Sequence, residues 1–282
     1  MIRNIDYEKI AKEKGIYVVC EMDNESNIQK LRLNPSNNTL NTYSVAKTFT
    51  QFAIGMCVDQ GLINVDDKFL DIMKIKLNSS YDQKWKNVTI EMLLQHKAGF
   101  EKMTLDIDCD DVLSYGTKDY LEYVLRKPLP KQGVEAVYTD ASFYLLSRIV
   151  EKVTDKTLYD FLRPTLMDVM DFKEYAWSSC PMGHTMGGTG LYIRCEDMIK
   201  LGYLYLNNGI YYNQRILSKE WCDKAINNGY ALSHLGDGWY GKGGMLGQFL
   251  AFNKEKHQAV AWMGYSHNVS AYEMLRINVN KD

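Results

Sequence analysis

A serine and a lysine three residues apart, Ser44 and Lys47, offer the clearest chemistry in the sequence. They open segment 44–61, whose apolar residues recur at helical spacing, and residues three apart on a helix lie on one face. A serine hydroxyl is a weak nucleophile until a neighbouring base takes its proton. A lysine can be that base when desolvation or nearby cations lower its pKa, and the positive end of a helix dipole acts in the same direction. The spacing therefore points to Ser44 as nucleophile and Lys47 as its base.

The same residues also have a structural interpretation, in which Ser44 caps a helix and Lys47 is a surface charge. The motif S-x-x-K is short and arises often by chance, so taken alone it favours that plainer interpretation. The other segments of the chain decide between the catalytic and the structural interpretation of Ser44 and Lys47.

The elements that must position these residues follow from hydrophobic periodicity. We predict helices over 44–61, 141–154 and 195–209, with Gly61 and Gly209 ending the first and the last. Strand pairs are predicted near both ends, over 15–22 with 28–34 around a turn at 23–26, and over 248–252 with 258–265 around a turn at 253–257.

This order of elements predicts an α+β fold. An antiparallel sheet is built from both chain ends and flanked by helices, and the central half forms a mainly helical subdomain. No linker, repeat or low-complexity run interrupts the chain, so residues 1–282 are interpreted as a single domain.

Composition excludes several classes of function. A net charge of −2 gives no electrostatic reason to bind nucleic acid or an anionic membrane. The six cysteines show neither metal-ligand spacing nor a disulfide framework, and no cofactor motif is present. The charged N-terminal segment is not typical of a signal peptide, and the apolar stretches are too short to span a membrane. We therefore expect a cytoplasmic protein without metal or cofactor, acting on a small molecule.

Five segments in the same order resemble the β-lactamase-like (penicillin-binding) superfamily of serine hydrolases, in particular relatives of the class C β-lactamases. The resemblance covers about Thr42 to Tyr265. The segments are YSVAKTFTQFAIGMCVDQGLINVDDKFLDIM, VTIEMLLQHKAGF, VYTDASFYLLSRIVEKVT, MGGTGLYIRCEDMIKLGYLYLNNG and YGKGGMLGQFLAF.

The resemblance implies a role for Tyr138, which begins the second catalytic motif, Y-T-D at 138–140. Tyr138 would protonate the leaving group and later activate water. An ordinary tyrosine pKa of about 10 is too high for this work, so adjacent cations, Lys47 and Lys242, would have to lower it by stabilising the phenolate. His96 falls at a position that is structural in the family.

The third motif, by the same resemblance, is Lys242-Gly243-Gly244. A glycine-rich strand lets substrate lie against the backbone because no Cβ blocks its approach. The backbone N–H groups of Ser44 and Met245 are the expected oxyanion hole.

Two residues depart from the family pattern. Asp140 replaces an asparagine, so an amide becomes an acceptor-only carboxylate. That carboxylate favours a protonated lysine nearby and works against a neutral Lys47; it would bind a substrate amine or hold Lys47 in place. Gly243 lacks the hydroxyl that, in the β-lactamases, binds the carboxylate of a β-lactam. Both departures count against β-lactam hydrolysis.

The function expected is hydrolysis of a small ester or amide through an acyl-enzyme on Ser44. One alternative is a peptidase acting on D-amino-acid or cell-wall fragments, or a weak β-lactamase. Another is a ligand-binding or sensor module that is acylated slowly, for which Asp140 is the best support. A catalytically inactive scaffold conflicts with the presence of Ser44, Lys47 and Tyr138. The oligomeric state and the natural substrate are left open.

Overall fold

A computed structural model describes residues 13–22 and 27–275 of the chain. The elements in these residues form two compact units. The first unit contains the described residues up to Val45, Leu166–Ala176 and those from Leu191 onward. The second unit contains Ala46–Thr165 and Trp177–Gly190.

Eleven strands lie within the described residues. They are β1 (Ile16–Met22), β2 (Ile28–Arg32), β3 (Thr39–Asn41), β4 (Tyr175–Trp177), β5 (Leu191–Arg194), β6 (Ile210–Tyr211), β7 (Gln214–Arg215), β8 (Ser233–Gly236), β9 (Trp239–Gly243), β10 (Phe249–Asn253) and β11 (Gln258–Gly264).

Nine α-helices are described alongside them. They are α1 (Ala46–Asp59), α2 (Phe69–Met73), α3 (Ile90–Leu94), α4 (Tyr120–Leu125), α5 (Asp140–Thr154), α6 (Leu158–Leu162), α7 (Cys195–Leu206), α8 (Lys219–Asn227) and α9 (Ala271–Leu275).

The first unit is organised around a six-stranded sheet with the order β2-β1-β11-β10-β9-β8. All of its pairings are antiparallel, and β1 from the N-terminal part of the chain pairs with β11 from the C-terminal part. Helix α7 packs against β1, β10 and β11. A Cβ placed on Gly202 would lie 2.7 Å from the Cβ of Ala259, so glycine at this position lets the helix approach the sheet closely.

The second unit is mainly helical, with α1 packed on α5. Helix α5 begins where Thr139 caps it, since the Thr139 hydroxyl oxygen accepts a hydrogen bond of 3.3 Å from the N–H of Ala141. Gly187 has a φ of +69°, and a Cβ there would meet the carbonyl oxygen of Phe143 at 2.4 Å. Glycine at 187 therefore lets this loop lie directly against α5.

The α+β prediction is confirmed, as are the antiparallel sheet from both chain ends and the three predicted helices. The first and last of these helices end two and three residues earlier than predicted, at Asp59 and Leu206. The first also begins later, because the α-helix starts at Ala46 and Ser44 lies in a 3-10 turn before it. The turn predicted at 23–26 lies outside the described residues, and the single domain stays a prediction. Within the described ranges, no helix combines the length and the apolarity needed to cross a membrane. All six cysteines are free thiols, and five are buried.

Candidate active site

Ser44 lies in the 3-10 turn Tyr43–Val45, directly before α1. Tyr43 has a φ of +46°, in the left-handed region that side chains with a Cβ rarely adopt. The N–H of Tyr43 donates a 2.9 Å hydrogen bond to Oδ1 of Asn41, which holds this turn in place. Backbone strain of this kind is common at functional sites, because the surrounding structure must enforce it. Its position next to Ser44 agrees with the proposed importance of that serine.

The glycine-rich strand lies beside the same turn in the first unit. Strand β9, which carries Lys242, packs against Tyr43–Val45. A Cβ on Gly244 would lie 2.5 Å from the carbonyl oxygen of Thr42, so glycine at 244 lets this loop approach the segment before Ser44 more closely than a residue with a side chain could. The first unit thus brings the Ser44 turn together with the Lys242–Met245 segment, in which Lys242, Gly243 and Gly244 are partly buried and Met245 is exposed.

Gln248 shapes this loop, and the sequence analysis did not identify it. Its side chain is buried; Oε1 accepts a 3.1 Å hydrogen bond from the N–H of Leu246, and Nε2 donates one of 2.8 Å to the carbonyl of Gly264. The Gln248 carbonyl accepts a further bond of 2.7 Å from the N–H of Gly244. In the sequence, the only indication that Gln248 holds this loop is that a long polar residue stands between a glycine-rich segment and an apolar strand.

Lys47 is the second residue of α1, and its side chain is 0 % exposed. Its ammonium donates hydrogen bonds to Oδ1 of Asp140 and, at 2.8 Å, to the carbonyl oxygen of Gly188. Lys47 Nζ also lies 4.7 Å from the centre of the Tyr138 ring. The second unit therefore brings together Lys47, Tyr138 and Asp140, three of the residues predicted from the sequence.

The surroundings of Lys47 favour its charged form. Burial acts to lower the pKa of Lys47, but the carboxylate of Asp140 and the hydroxyl of Tyr138 act in the opposite direction and leave it above its ordinary value. Asp140 is itself 4 % exposed, and its carboxylate forms an ion pair with the Lys47 ammonium. Of the two roles considered for Asp140, its geometry supports holding Lys47 more than binding a substrate amine.

Tyr138 is partly buried and is supported from one side by His96. The two rings are 4.6 Å apart, and Nδ1 of His96 accepts a 3.3 Å hydrogen bond from the N–H of Thr139. The Thr139 hydroxyl donates to the carbonyl of Thr104 at 2.7 Å and accepts from the N–H of Thr104 at 2.9 Å. His96 and Thr104 thus fix the backbone of the Y-T-D motif, and Thr104 was not identified from the sequence.

Asp106 and Asp108 complete an acidic group with Asp140, in which one carboxylate oxygen from each residue lies within 4.8 Å of the others. Burial, together with the charge of Asp140, raises the pKa of both Asp106 and Asp108. Asp108 also accepts a hydrogen bond from the hydroxyl of Thr189. These oxygens are the best candidates for cation ligands among the described residues, but Asp140 already binds the ammonium of Lys47.

The fold is that of a β-lactamase-like serine hydrolase. Residues 34–269 match the family model described as Beta-lactamase. The chain therefore belongs to the Beta-lactamase family, which confirms the resemblance seen in the sequence.

Solved structures and a curated relative agree with this assignment. A protein assigned as a 6-aminohexanoate-dimer hydrolase from Bacillus anthracis is similar with a TM-score of 0.80 and 16% identity, over 95% of this chain and 78% of that one. The octameric penicillin-binding protein homologue from Pyrococcus abyssi gives a TM-score of 0.74 and 20% identity, over 95% and 73% of the two chains. The Beta-lactamase-like protein 1 of Dictyostelium discoideum is 26% identical over 138 residues, which are 41% of this chain and 21% of the relative. The matched part thus spans about a fifth of that relative.

Proposed function

We propose that the protein hydrolyses a small ester or amide through an acyl-enzyme on Ser44. The observation that carries this proposal is the cluster of Lys47, Tyr138 and Asp140 on the helices whose N-terminal motifs are S-x-x-K and Y-T-D. Ser44 stands three residues before Lys47, in a strained turn beside the glycine-rich strand.

The reaction has two halves. In acylation, Ser44 Oγ bonds to the carbonyl carbon and loses its proton to Lys47 or Tyr138, and the carbonyl electron pair moves to the oxygen. The N–H groups of Ser44 and Met245 stabilise that oxyanion, and such donors contribute about 2.7–4 kcal/mol each. The leaving group then departs with a proton. Water attacks the acyl-enzyme in the second half and returns a proton to Ser44.

The charge around Lys47 supports a particular substrate class. Asp106, Asp108 and Asp140 bring three carboxylates close together, and the Lys47 ammonium is paired with the last of them, so the local charge disfavours a substrate anion there. Gly243 supplies no hydroxyl to bind such an anion. We therefore propose a neutral or cationic acyl group rather than a β-lactam.

An amide substrate is the second candidate. It is favoured by the fold similarity to the protein assigned as a 6-aminohexanoate-dimer hydrolase. The cytoplasmic location expected from the sequence also stays a proposal, and the six free thiols support it.

A panel of substrates tests the proposed function. Nitrophenyl esters, D-aminoacyl anilides and a chromogenic cephalosporin should be compared by kcat/KM, with Ser44→Ala as the control. Ester or anilide turnover that disappears in Ser44→Ala supports the proposal. Stoichiometric acylation without turnover would favour the sensor module instead.

A further inference from the structure

Gln248 lies immediately before β10, next to the glycine-rich loop, and the proposed reaction gives it no role. We propose that Gln248 is a positioning residue, whose buried side chain holds the Met245 N–H in the oxyanion hole without contacting the substrate. This inference rests on the proposed function, in which the N–H groups of Ser44 and Met245 stabilise the oxyanion. All the residues that carry it belong to the first unit.

The loop that carries Met245 is short and closed. Strands β9 and β10 form a hairpin, and beyond their paired residues the N–H of Gly244 donates a 2.7 Å hydrogen bond to the carbonyl of Gln248. Residues 245–247 form the tip, and a three-residue hairpin loop commonly ends on a left-handed residue. Gly247 supplies that conformation with a φ of +84°. The loop is therefore tight, and the place of the Met245 N–H depends on the peptide groups around it.

Gln248 fixes the peptide groups on both sides of the one that carries the Met245 N–H. The N–H of Gly244 donates to the Gln248 carbonyl at 2.7 Å, and the N–H of Leu246 donates to the Gln248 Oε1 at 3.1 Å. With both neighbours fixed, the planar peptide group between Gly244 and Met245 can only rotate about the line that joins its two Cα atoms. It cannot shift sideways, so the Met245 N–H keeps its distance from the Ser44 turn.

The amide of Gln248 is itself fixed to the sheet. Gln248 is buried, and its Nε2 donates a 2.8 Å hydrogen bond to the carbonyl of Gly264, the last residue of β11. The N–H of Ser266 donates one of 2.9 Å to the carbonyl of Leu246, so the loop has a second bond to the chain after β11. Turning the buried amide would leave a donor or an acceptor unpaired, which is unfavourable. The position of the loop is therefore set by β11.

The same loop contacts the backbone before Ser44. A Cβ on Gly244 would lie 2.7 Å from Oε1 of Gln248 and 2.5 Å from the carbonyl oxygen of Thr42, so the Gly244 backbone packs against both. The Thr42 carbonyl accepts a 3.2 Å hydrogen bond from the N–H of Val45, which closes the turn around Ser44. A shift of the Gln248 side chain would therefore change the distance between the Ser44 turn and the loop, the two sources of the oxyanion donors.

A second buried amide, at the other end of β10, has the same bonding without the same neighbours. Asn253 is buried; its Oδ1 accepts a 2.9 Å hydrogen bond from the N–H of Lys256, and its Nδ2 donates one of 2.8 Å to the carbonyl of Asp237. Like Gln248 it holds a turn through two backbone groups, but at the end of the strand opposite the glycine-rich loop. Asn253→Leu is therefore a matched control for a purely structural effect.

The test measures acylation of Ser44 by a nitrophenyl ester in rapid-mixing experiments, which separate the acylation rate constant at saturation from the dissociation constant of the ester. Gln248→Met keeps the length of the side chain and removes both of its hydrogen bonds. We expect acylation to slow by about 10- to 100-fold while the dissociation constant changes by less than about threefold, because the hole stabilises the oxyanion and not the bound ester. A fluorophosphonate probe, whose phosphoryl oxygen would enter the same hole, should label Ser44 more slowly by a similar factor.

Two further variants separate positioning from stability. Asn253→Leu should lower the melting temperature as Gln248→Met does, yet keep the acylation rate within about twofold of that of the unaltered protein. Gln248→Glu should restore much of the rate at about pH 5.5, where a buried carboxyl group stays protonated. Its carbonyl oxygen can then accept from the N–H of Leu246, and its O–H can donate to the carbonyl of Gly264.

Equal acylation rates in Gln248→Met and the unaltered protein overturn the inference while Ser44 stays the nucleophile. So does an Asn253→Leu variant that slows acylation as much as Gln248→Met, or a Gln248→Met defect confined to the dissociation constant. If the ester does not acylate Ser44 in the unaltered protein, the proposed function fails and the inference fails with it.

Gln248→Asn keeps the inference testable where Gln248→Met fails to fold, as judged by its melting temperature. Its amide is one methylene shorter and cannot reach Leu246 and Gly264 together. We expect acylation about tenfold slower at an unchanged dissociation constant, because the Met245 N–H is then displaced. A folded Gln248→Asn variant with an acylation rate equal to that of the unaltered protein would show that Gln248 does not position the hole.

Discussion

The carbonyl oxygen of Gly188 accepts a 2.8 Å hydrogen bond from Lys47, while the same glycine packs against the side chain of Asp140. A residue without any functional group of its own thus contacts both members of the buried ion pair. The loop 187–190 therefore helps to hold this pair through the backbone of Gly188, and its Thr189 hydroxyl donates a hydrogen bond to Asp108.

A methyl group on Gly188 should disturb that pair without changing any charge. In Gly188→Ala the new Cβ would meet Asp140 at 3.1–3.2 Å, so the carboxylate must move by a few tenths of an ångström. We expect labelling of Ser44 to slow by about tenfold, because small displacements of catalytic groups are costly. Gly183→Ala is the control, since a Cβ there meets nothing within 4 Å and only its φ of +87° adds strain. Equal labelling rates in the two variants would contradict this prediction.

Ser44 should be the only serine labelled by a fluorophosphonate probe, because only an activated hydroxyl reacts quickly. Ser147 is a useful contrast: it is buried, and its hydroxyl already donates to the carbonyl of Thr185 at 2.7 Å. Peptide mapping after labelling identifies the site. A label on Ser142 or Ser147 with Ser44 unmodified would refute the assignment.

Removing the Lys47 side chain should affect both activity and stability. Lys47→Ala leaves the Asp140 carboxylate buried without a cation, which costs about 3–5 kcal/mol for a buried pair. We expect a large loss of kcat/KM and a lower urea midpoint, whereas Lys86→Ala, at an exposed lysine, should change neither much. A Lys47→Ala variant as active as the unaltered protein would exclude any catalytic role for this residue.

Lys47→Arg should be nearly as damaging to acylation. A guanidinium keeps the charge but cannot accept a proton, and its larger planar group must fit a site where Lys47 is fully buried. The ratio of kcat/KM for Lys47→Arg to kcat/KM for Lys47→Ala measures how much a positive charge alone contributes to catalysis. An arginine variant that retains most of the acylation rate would identify Lys47 as a purely electrostatic element.

Nitrophenyl esters with short neutral or cationic acyl groups should be turned over faster than a cephalosporin. The reason is that the function proposed above relies on Asp140, whose negative charge disfavours a substrate carboxylate, and on Gly243, which offers such a carboxylate no hydroxyl. The measurement is kcat/KM for both substrates on one preparation. Gly243→Thr alone does not restore the hydroxyl cleanly, since its Cβ would lie 2.9 Å from two ring atoms of Phe249. Efficient cephalosporin hydrolysis by the unaltered protein would defeat the substrate argument and leave the family assignment intact.

Alkaline pH should destabilise the fold through buried thiols such as Cys57. Burial raises the pKa of Cys57 from 9.0 to about 12. Between these values the unfolded chain loses the thiol proton and the folded protein keeps it. The stabilisation that the protonated Cys57 gives the folded state is therefore complete below pH 9 and is lost as the pH rises toward 12. At pH 10.5 the loss is about 2 kcal/mol. Urea unfolding at pH 7.5 and 10.5 measures it, and Cys57→Ala should have a smaller difference between the two pH values; an equal difference would exclude this cause.

Local patterns in the sequence predicted the elements of this fold. The strand pairs β1 with β2 and β10 with β11 follow from apolar and β-branched runs around polar turns, and α5 and α7 follow from helical periodicity. One local detail was wrong: Ser44 lies in a 3-10 turn and not in the first turn of α1, because the left-handed backbone of Tyr43 is not visible in a hydrophobic pattern. The order of the motifs was enough to identify the family.

Only the tertiary structure determined which groups contact Lys47 and whether its charged form is favoured. Asp140 reaches Lys47 across 93 positions of sequence, and the carbonyl of Gly188 reaches it across 141. The sequence raised the question of whether Lys47 is neutral, since it showed an aspartate where the family has an asparagine. The answer depends on how completely the lysine is desolvated and which charges lie beside it. Both quantities are set by packing between distant segments, because electrostatic interactions depend on distance in space and on exclusion of water, and neither is encoded in spacing along the chain.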